Sequence, residues 1–218
     1  MKHSHTATDS VKRVLDACAA VVLLVVLSPL LAVLAILVRV NLGSPVLFRQ
    51  RRAGQGGSIF TLYKFRTMRE ASPRASLEQT AASDAERITR LGNFLRSSSL
   101  DELPELWNVL VGDMSMVGPR PLLPEYLERY NETQARRHEV RPGITGGAQV
   151  NGRNATTWEE RFDLDVYYVD HRSLGFDARI LRKTVSTVLS RKGADAVGGA
   201  TMEPFDPAPA SEDDGNRQ

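Results

Sequence analysis

From Ala17 to Val38 the chain carries no charged residue. At 1.5 Å per residue a helix there reaches roughly 33 Å, against a bilayer core of about 30 Å. Length alone fits a single transmembrane anchor. A signal peptide fits less well, because the run is long for such a segment and no small-residue cleavage site follows. Two features point instead to a helix that enters and leaves on one side. Ser28-Pro29 falls at its centre, where Pro29 removes the hydrogen bond to the Val25 carbonyl and Ser28 can satisfy a freed carbonyl. Each half is then about 15 Å, half a membrane. Lys12 and Arg13 precede the run, and Arg39, Arg49, Arg51 and Arg52 follow it, so both ends favour the cytoplasmic side.

Further on, apolar and basic positions alternate over residues 46–68. Ser58 to Arg66 predicts a strand, and Gly54-Gln-Gly-Gly57 the turn of a hairpin. Residues 70–86 have no period and predict a surface excursion. Leu103, Leu106, Trp107 and Leu110 keep helical spacing, and Gly112 ends that helix. A polar helix is expected over 122–138, a tight loop over 142–147, a helix with an acidic face over 157–170, and an amphipathic basic helix over 176–191. The resulting fold class is α+β and mostly helical: a re-entrant N-terminal membrane helix, amphipathic helices and a small β-hairpin. The expected divisions are a mobile leader (1–11), the re-entrant membrane helix (12–40), a catalytic domain (41–192) and a disordered tail (193–218), the last rich in Gly, Ala, Pro and acids.

The 218 residues allow one ordinary domain with appendages, and the net charge of +2 gives no global field for nucleic acid. A single cysteine, Cys18, excludes an intrachain disulfide and a cysteine metal cluster. The chemistry concentrates at adjacent acids, Asp101 and Glu102. Ser99-Leu-Asp-Glu102 fits a capping box, which accounts for Glu102 but not for Asp101. An acid near a helix N-terminus stays ionised, the state a nucleophile or a Mg²⁺ ligand needs. Lys64 and Arg66 share one strand face, open to a plain solvated reading. Arg120 between Pro119 and Pro121, with Arg141 and Arg153 beside glycines, makes an anion site when taken together. Asp163 and Asp165 read as helix-surface charges. His138 and His171 lack metal-ligand spacing and read as surface residues. No Walker loop, dinucleotide fingerprint or nucleophilic serine motif is present.

These stretches resemble a family, the small monotopic phosphoglycosyl transferases or bacterial sugar transferases. The matching motifs are Lys12-Arg13, Ser28-Pro29, Phe48-Arg-Gln50, Tyr63-Lys-Phe-Arg-Thr-Met68, Ile88-Thr-Arg-Leu-Gly92, Ser99 to Leu110, Gly112 to Pro121, Arg141-Pro-Gly-Ile-Thr-Gly146, Ala148 to Arg153 and Asp165-Val-Tyr-Tyr-Val169. Gly147 stands where the family often has Trp, and Ser44-Pro45 where Gly-Pro is common.

The resemblance implies a Mg²⁺-dependent, two-step enzyme on the cytoplasmic face of the bacterial inner membrane. Asp101 would attack the sugar-linked phosphorus of a UDP-sugar and expel UMP, and polyprenol phosphate would then take the phosphosugar. Asp101 and Glu102 would hold the metal, or Glu102 would accept a proton. Lys64 and Asp165 align with functional positions. Arg120 belongs to a motif associated with the nucleotide, with Arg66, Pro119, Pro121, Arg141 and Arg153 as further substrate contacts. The bilayer and downstream glycosyltransferases are expected partners, and a homo-oligomer is compatible. Only eleven residues precede Lys12, as in the minimal, catalytic-only form. A non-catalytic scaffold would leave Asp101 and Glu102 as mere caps. A glycosidase is disfavoured, because adjacent acids rarely face each other across a sugar at about 5 Å or more. A multi-span transferase needs more than one apolar segment. The sugar, the polyprenol and the pathway are not legible.

Overall fold

A computed structural model describes residues 3–69, 87–151, 157–190 and Phe205. Helix α1 (His3–Val26) and helix α2 (Ser28–Leu42) meet at a bend of 64°. Pro29 sits in the first turn of α2, where its missing N–H costs nothing, and the Ser28 hydroxyl donates to the Val25 carbonyl at 2.8 Å. No single helix among the described residues is long and apolar enough to cross a membrane, and only this bent pair, taken together, has the length and composition to do so. From His3 onward the chain is continuous with α1.

Strands β1 (Leu47–Ala53) and β2 (Ile59–Phe65) form the expected antiparallel hairpin, with Phe48 opposite Lys64. Side chains alternate across a strand, so Lys64 shares a face with buried Phe60 and Leu62. That face meets α1 through Ala20 and helix α4 (Glu105–Val111) through Val109, with Met114, just beyond α4, in the same cluster. Helix α3 (Arg90–Ser97) brings Leu95 against Phe65 and against Leu34 and Val38 of α2. Away from these contacts Val21, Val22, Val25, Val26, Val33, Ile36 and Val40 are exposed.

Strands β3 (Ser115–Val117) and β4 (Gly143–Thr145) pair in parallel, so the tight loop expected over 142–147 is partly a strand. The approach is too close for a side chain: a Cβ on Gly143 would lie 2.0 Å from the Gly118 nitrogen. The polar helix expected over 122–138 is broken. Its pieces are a 3₁₀ turn Pro124–Arg129, a short helix α5 (Glu132–Ala135) and a second 3₁₀ turn Arg136–Glu139. Asn131 caps α5 and Tyr130 is extended, which divides the segment. Helix α6 (Gly147–Asn151) precedes α7 (Trp158–His171), which starts on a Thr157–Glu160 capping box, and α8 (Leu174–Ser190) closes the described run. The excursion expected over 70–86 lies outside the described residues, as does the tail apart from Phe205, which is buried rather than solvated.

Candidate active site

The acids do not cap a helix through Ser99. Ser99 adopts a left-handed φ of 58° and makes no side-chain cap bond, so the capping-box expectation is corrected. A 3₁₀ turn over Leu100–Glu102 follows, and Pro104 then leads into α4. The kinked entry leaves Asp101 only 8% exposed. Among the described residues no hydrogen bond to its carboxylate is formed, although the charges of Lys64, Arg120 and Arg96 reach it.

Helix α4 is stitched to β2 by Asn108, which is fully buried. Its Oδ1 accepts from the Tyr63 backbone N–H at 3.2 Å and its Nδ2 donates to the Thr61 carbonyl at 2.7 Å. This clamp sets Lys64 against the acids. Lys64 Nζ lies 2.6 Å from Glu102 Oε1 and 3.1 Å from Glu105 Oε1. Arg120 donates from Nη2 to the same Glu102 oxygen at 2.7 Å.

The Pro119-Arg120-Pro121 turn is held by its carbonyls. Gly143 N–H donates to Pro119 O at 2.9 Å, Arg137 to Arg120 O at 2.7 Å, and Arg52 to Pro121 O at 3.4 Å. Both prolines are buried, while 42% of the Arg120 side chain stays open to solvent.

Burial pushes the Asp101 carboxyl up to about 6, with the Glu102 charge adding to the rise and Lys64 and Arg120 opposing it. Burial also works against ionised Glu102, but Arg120 and Lys64 outweigh it and hold that carboxyl below the usual range. Glu105 is pushed up to about 7, first by burial and then by Glu102. The cluster thus keeps one carboxylate firmly ionised beside two that ionise reluctantly.

The remaining expected residues are less close. Asp165 is not a surface charge. It is 3% exposed and accepts from Arg137 at 2.7 and 3.1 Å, one residue removed from Arg120. Burial raises its carboxyl and Arg137 opposes the rise. Arg66 is buried and donates to the carbonyls of Ser44, at 3.1 Å, and Leu42, so its guanidinium is engaged with the end of α2. Arg141 donates to Gly112 O at 3.0 Å, at the end of α4. Arg153 lies outside the described residues. His138, expected on the surface, is half-buried and donates to Gly54 O at 2.9 Å. Lys12 pairs with Asp177 at 2.6 Å, and Arg13 donates to Val109 O and Leu110 O at 2.6 and 2.7 Å. Both basic residues ahead of the apolar run are thereby docked on the rest of the fold. Sequence reasoning missed Glu105, Asn108 and Arg137. Glu105, one residue after Pro104, was legible as a third acid in the same stretch.

Among the described residues no group of three or more His, Cys, Asp or Glu forms a metal cluster. The donor chemistry still suits Mg²⁺. Asp101 offers an acceptor-only carboxylate, both cations bind Oε1 of Glu102, and such an ion draws its other ligands from water and phosphates.

Three carboxylates, Asp101, Glu102 and Glu105, thus converge with two cations, Lys64 and Arg120. The sequence pattern of bacterial sugar transferases matches residues 7–191, and the chain belongs to that family. It is similar to the sugar transferase EpsL of Bacillus subtilis (strain 168), with 50% identity over 195 residues, 89% of this chain and 95% of that protein. It is 44% identical to a UDP-glucose:undecaprenyl-phosphate glucose-1-phosphate transferase of Xanthomonas campestris pv. campestris, covering 84% of this chain but 40% of that protein. A protein of the same name from Caulobacter vibrioides is 40% identical over 86% of this chain and 73% of its own length. The chain is accordingly an enzyme of the transferase class.

Proposed function

We propose that the enzyme transfers a phosphosugar from a UDP-sugar to a polyprenol phosphate, through an ester on Asp101. The observation that carries it is the state of Asp101: a buried carboxylate without a hydrogen bond among the described residues, beside Lys64 and Arg120. The names of the Xanthomonas and Caulobacter relatives supply the substrate class. Asp101 attacks the sugar-linked phosphorus, the bond from that phosphorus to the UMP oxygen breaks, and UMP leaves with the electron pair. An oxygen of polyprenol phosphate then attacks the same phosphorus and frees Asp101. Lys64 and Arg120 place positive charge where phosphate charge collects, and their hold on Glu102 orients them before substrate arrives. Bound Mg²⁺, held by Asp101 and Glu102, would supply further charge neutralisation on the phosphates.

Membrane association follows from the same chemistry, because a soluble nucleotide must meet a lipid phosphate at the headgroup plane. The bent α1–α2 pair, with its exposed apolar side chains, supports a re-entrant hairpin on the cytoplasmic face of the inner membrane. The test is exchange of labelled UMP into a UDP-sugar without polyprenol phosphate, with mass analysis of the peptide carrying Asp101. The covalent route gives exchange and a phosphosugar adduct. Absence of both in an active preparation points to direct displacement.

A further inference from the structure

Phe205 lies beyond the residues matched to the family, yet it is 3% exposed. Its ring centroid is 5.0 Å from Phe162, 5.5 Å from Trp158, 5.7 Å from Tyr126 and 5.9 Å from Tyr130. The Tyr126 and Phe162 contacts are edge-on and the Tyr130 contact is stacked, both favourable geometries. Its backbone is seated as well. The Phe205 N–H donates to the Tyr126 hydroxyl at 3.1 Å, and its carbonyl accepts from Arg129 Nη1 at 2.7 Å. A residue bound through its ring, its donor and its acceptor occupies a built pocket.

The walls of that pocket are the support of Arg137. The Arg137 guanidinium lies 5.5 Å from the Phe162 centroid and 5.7 Å from that of Tyr130, and it donates to the Tyr130 hydroxyl at 3.1 Å. From there Arg137 holds Asp165 and the carbonyl of Arg120. Emptying the pocket would let Tyr130 and Phe162 relax into the space, because a cavity left by a ring collapses only partly and shifts its neighbours.

We propose that Phe205 is a C-terminal latch, a positioning residue that presses the Tyr130–Phe162 layer against Arg137 and so fixes the Pro119-Arg120-Pro121 turn. Its kinetic consequence rests on the phosphosugar transfer proposed above, while its seating does not. The full chain carrying Trp107→Phe leaves Trp158 as the only tryptophan, a reporter inside the pocket. Phe205→Ala should shift Trp158 emission to longer wavelength and speed amide hydrogen exchange at Gly143, whose N–H donates to the Pro119 carbonyl of the turn. The KM for UDP-sugar should rise about tenfold, with a smaller change in kcat. Phe205→Leu, which keeps apolar bulk, should recover most of each effect. Added to Arg137→Lys, Phe205→Ala should raise KM little further, because the two act through one contact. Unchanged Trp158 emission overturns the latch. Unchanged, slow Gly143 exchange, or full additivity with Arg137→Lys, overturns the positioning role. A silent UDP-sugar panel would instead sink the transfer reading, since emission and exchange need no substrate.

Discussion

Arg120 and Glu102 stand eighteen positions apart in the chain, yet Arg120 Nη2 lies 2.7 Å from Glu102 Oε1. The contact joins the Pro-Arg-Pro turn to the acidic turn, and it leaves part of the Arg120 side chain facing solvent. Arg120→Ala should therefore act on nucleotide affinity and on rate together. A loss of roughly 10–10²-fold in kcat/KM for the UDP-sugar is expected. Steady-state kinetics with UMP release as the readout checks this, and an unchanged KM would remove Arg120 from substrate binding.

Asp101→Asn keeps size and removes the nucleophilic charge. Transfer should fall by roughly 10³-fold or more, as for other covalent nucleophiles. Circular dichroism should be unaltered, because among the described residues no hydrogen bond to the carboxylate is lost. Near-full turnover would eliminate the covalent mechanism.

The raised Asp101 carboxyl gives a pH signature. With an ionised nucleophile required, kcat/KM should fall as pH drops through about 6, approaching tenfold per unit, and Asp101→Asn should lack that limb in its residual rate. Stability has the opposite sign. The folded carboxyl binds its proton more tightly than the unfolded one at 3.8, so its contribution is complete below that value and is lost as pH rises through about 6. Substrate-free Asp101→Asn should therefore be more stable than the native chain at pH 8, by about 1–3 kcal/mol, with the gap narrowing toward pH 4. Denaturant melts at both pH values decide it.

Lys64 is shared by two acids of unequal character. Lys64→Met strands Glu105 and leaves Glu102 to Arg120 alone, and should cost roughly 3 kcal/mol. Adding Glu105→Gln should return a large part, because the harder of the two acids to ionise is then neutral. Glu105→Gln alone should change stability little. A double-mutant cycle in urea measures the coupling, and simple additivity would show that Lys64 does not bridge them.

Much of this was legible. The hairpin, the helix after Pro104 and the two last helices follow from period and punctuation, and the acidic pair stands out by adjacency. The rest depends on contacts that sequence spacing does not encode. Ser99 fits a capping box by type, but its left-handed backbone turns the hydroxyl away from that role. Asp165 looks like a helix-surface acid until Arg137, from a segment broken by Tyr130 and Asn131, is found packed against it. The β3–β4 pair escaped because each strand has only three residues and glycine lines the approach.

The bend at Ser28-Pro29 predicts a topology. An introduced cysteine at Ser4, with Cys18→Ala to silence the native thiol, should resist a membrane-impermeant reagent until cells are permeabilised. Replacing Ser28 and Pro29 with Leu restores an unbroken apolar helix of roughly 33 Å, and a fraction should then label in intact cells. Labelling of the Ser-Pro form in intact cells would establish a spanning anchor instead.

Ala20 packs with Val109 and Met114, and Asp16 accepts from the Ser115 hydroxyl at 2.7 Å inside the fold. The apolar helices are therefore not a detachable tag. Trimming the first forty residues to obtain a water-soluble fragment would bare the underside of β2 and α4, take Asp16 from Ser115, and uncap the carbonyls that Arg13 holds. Anyone preparing this enzyme for biophysics has to carry its greasy end along, in detergent or nanodiscs, because that end is part of the floor on which the acids stand.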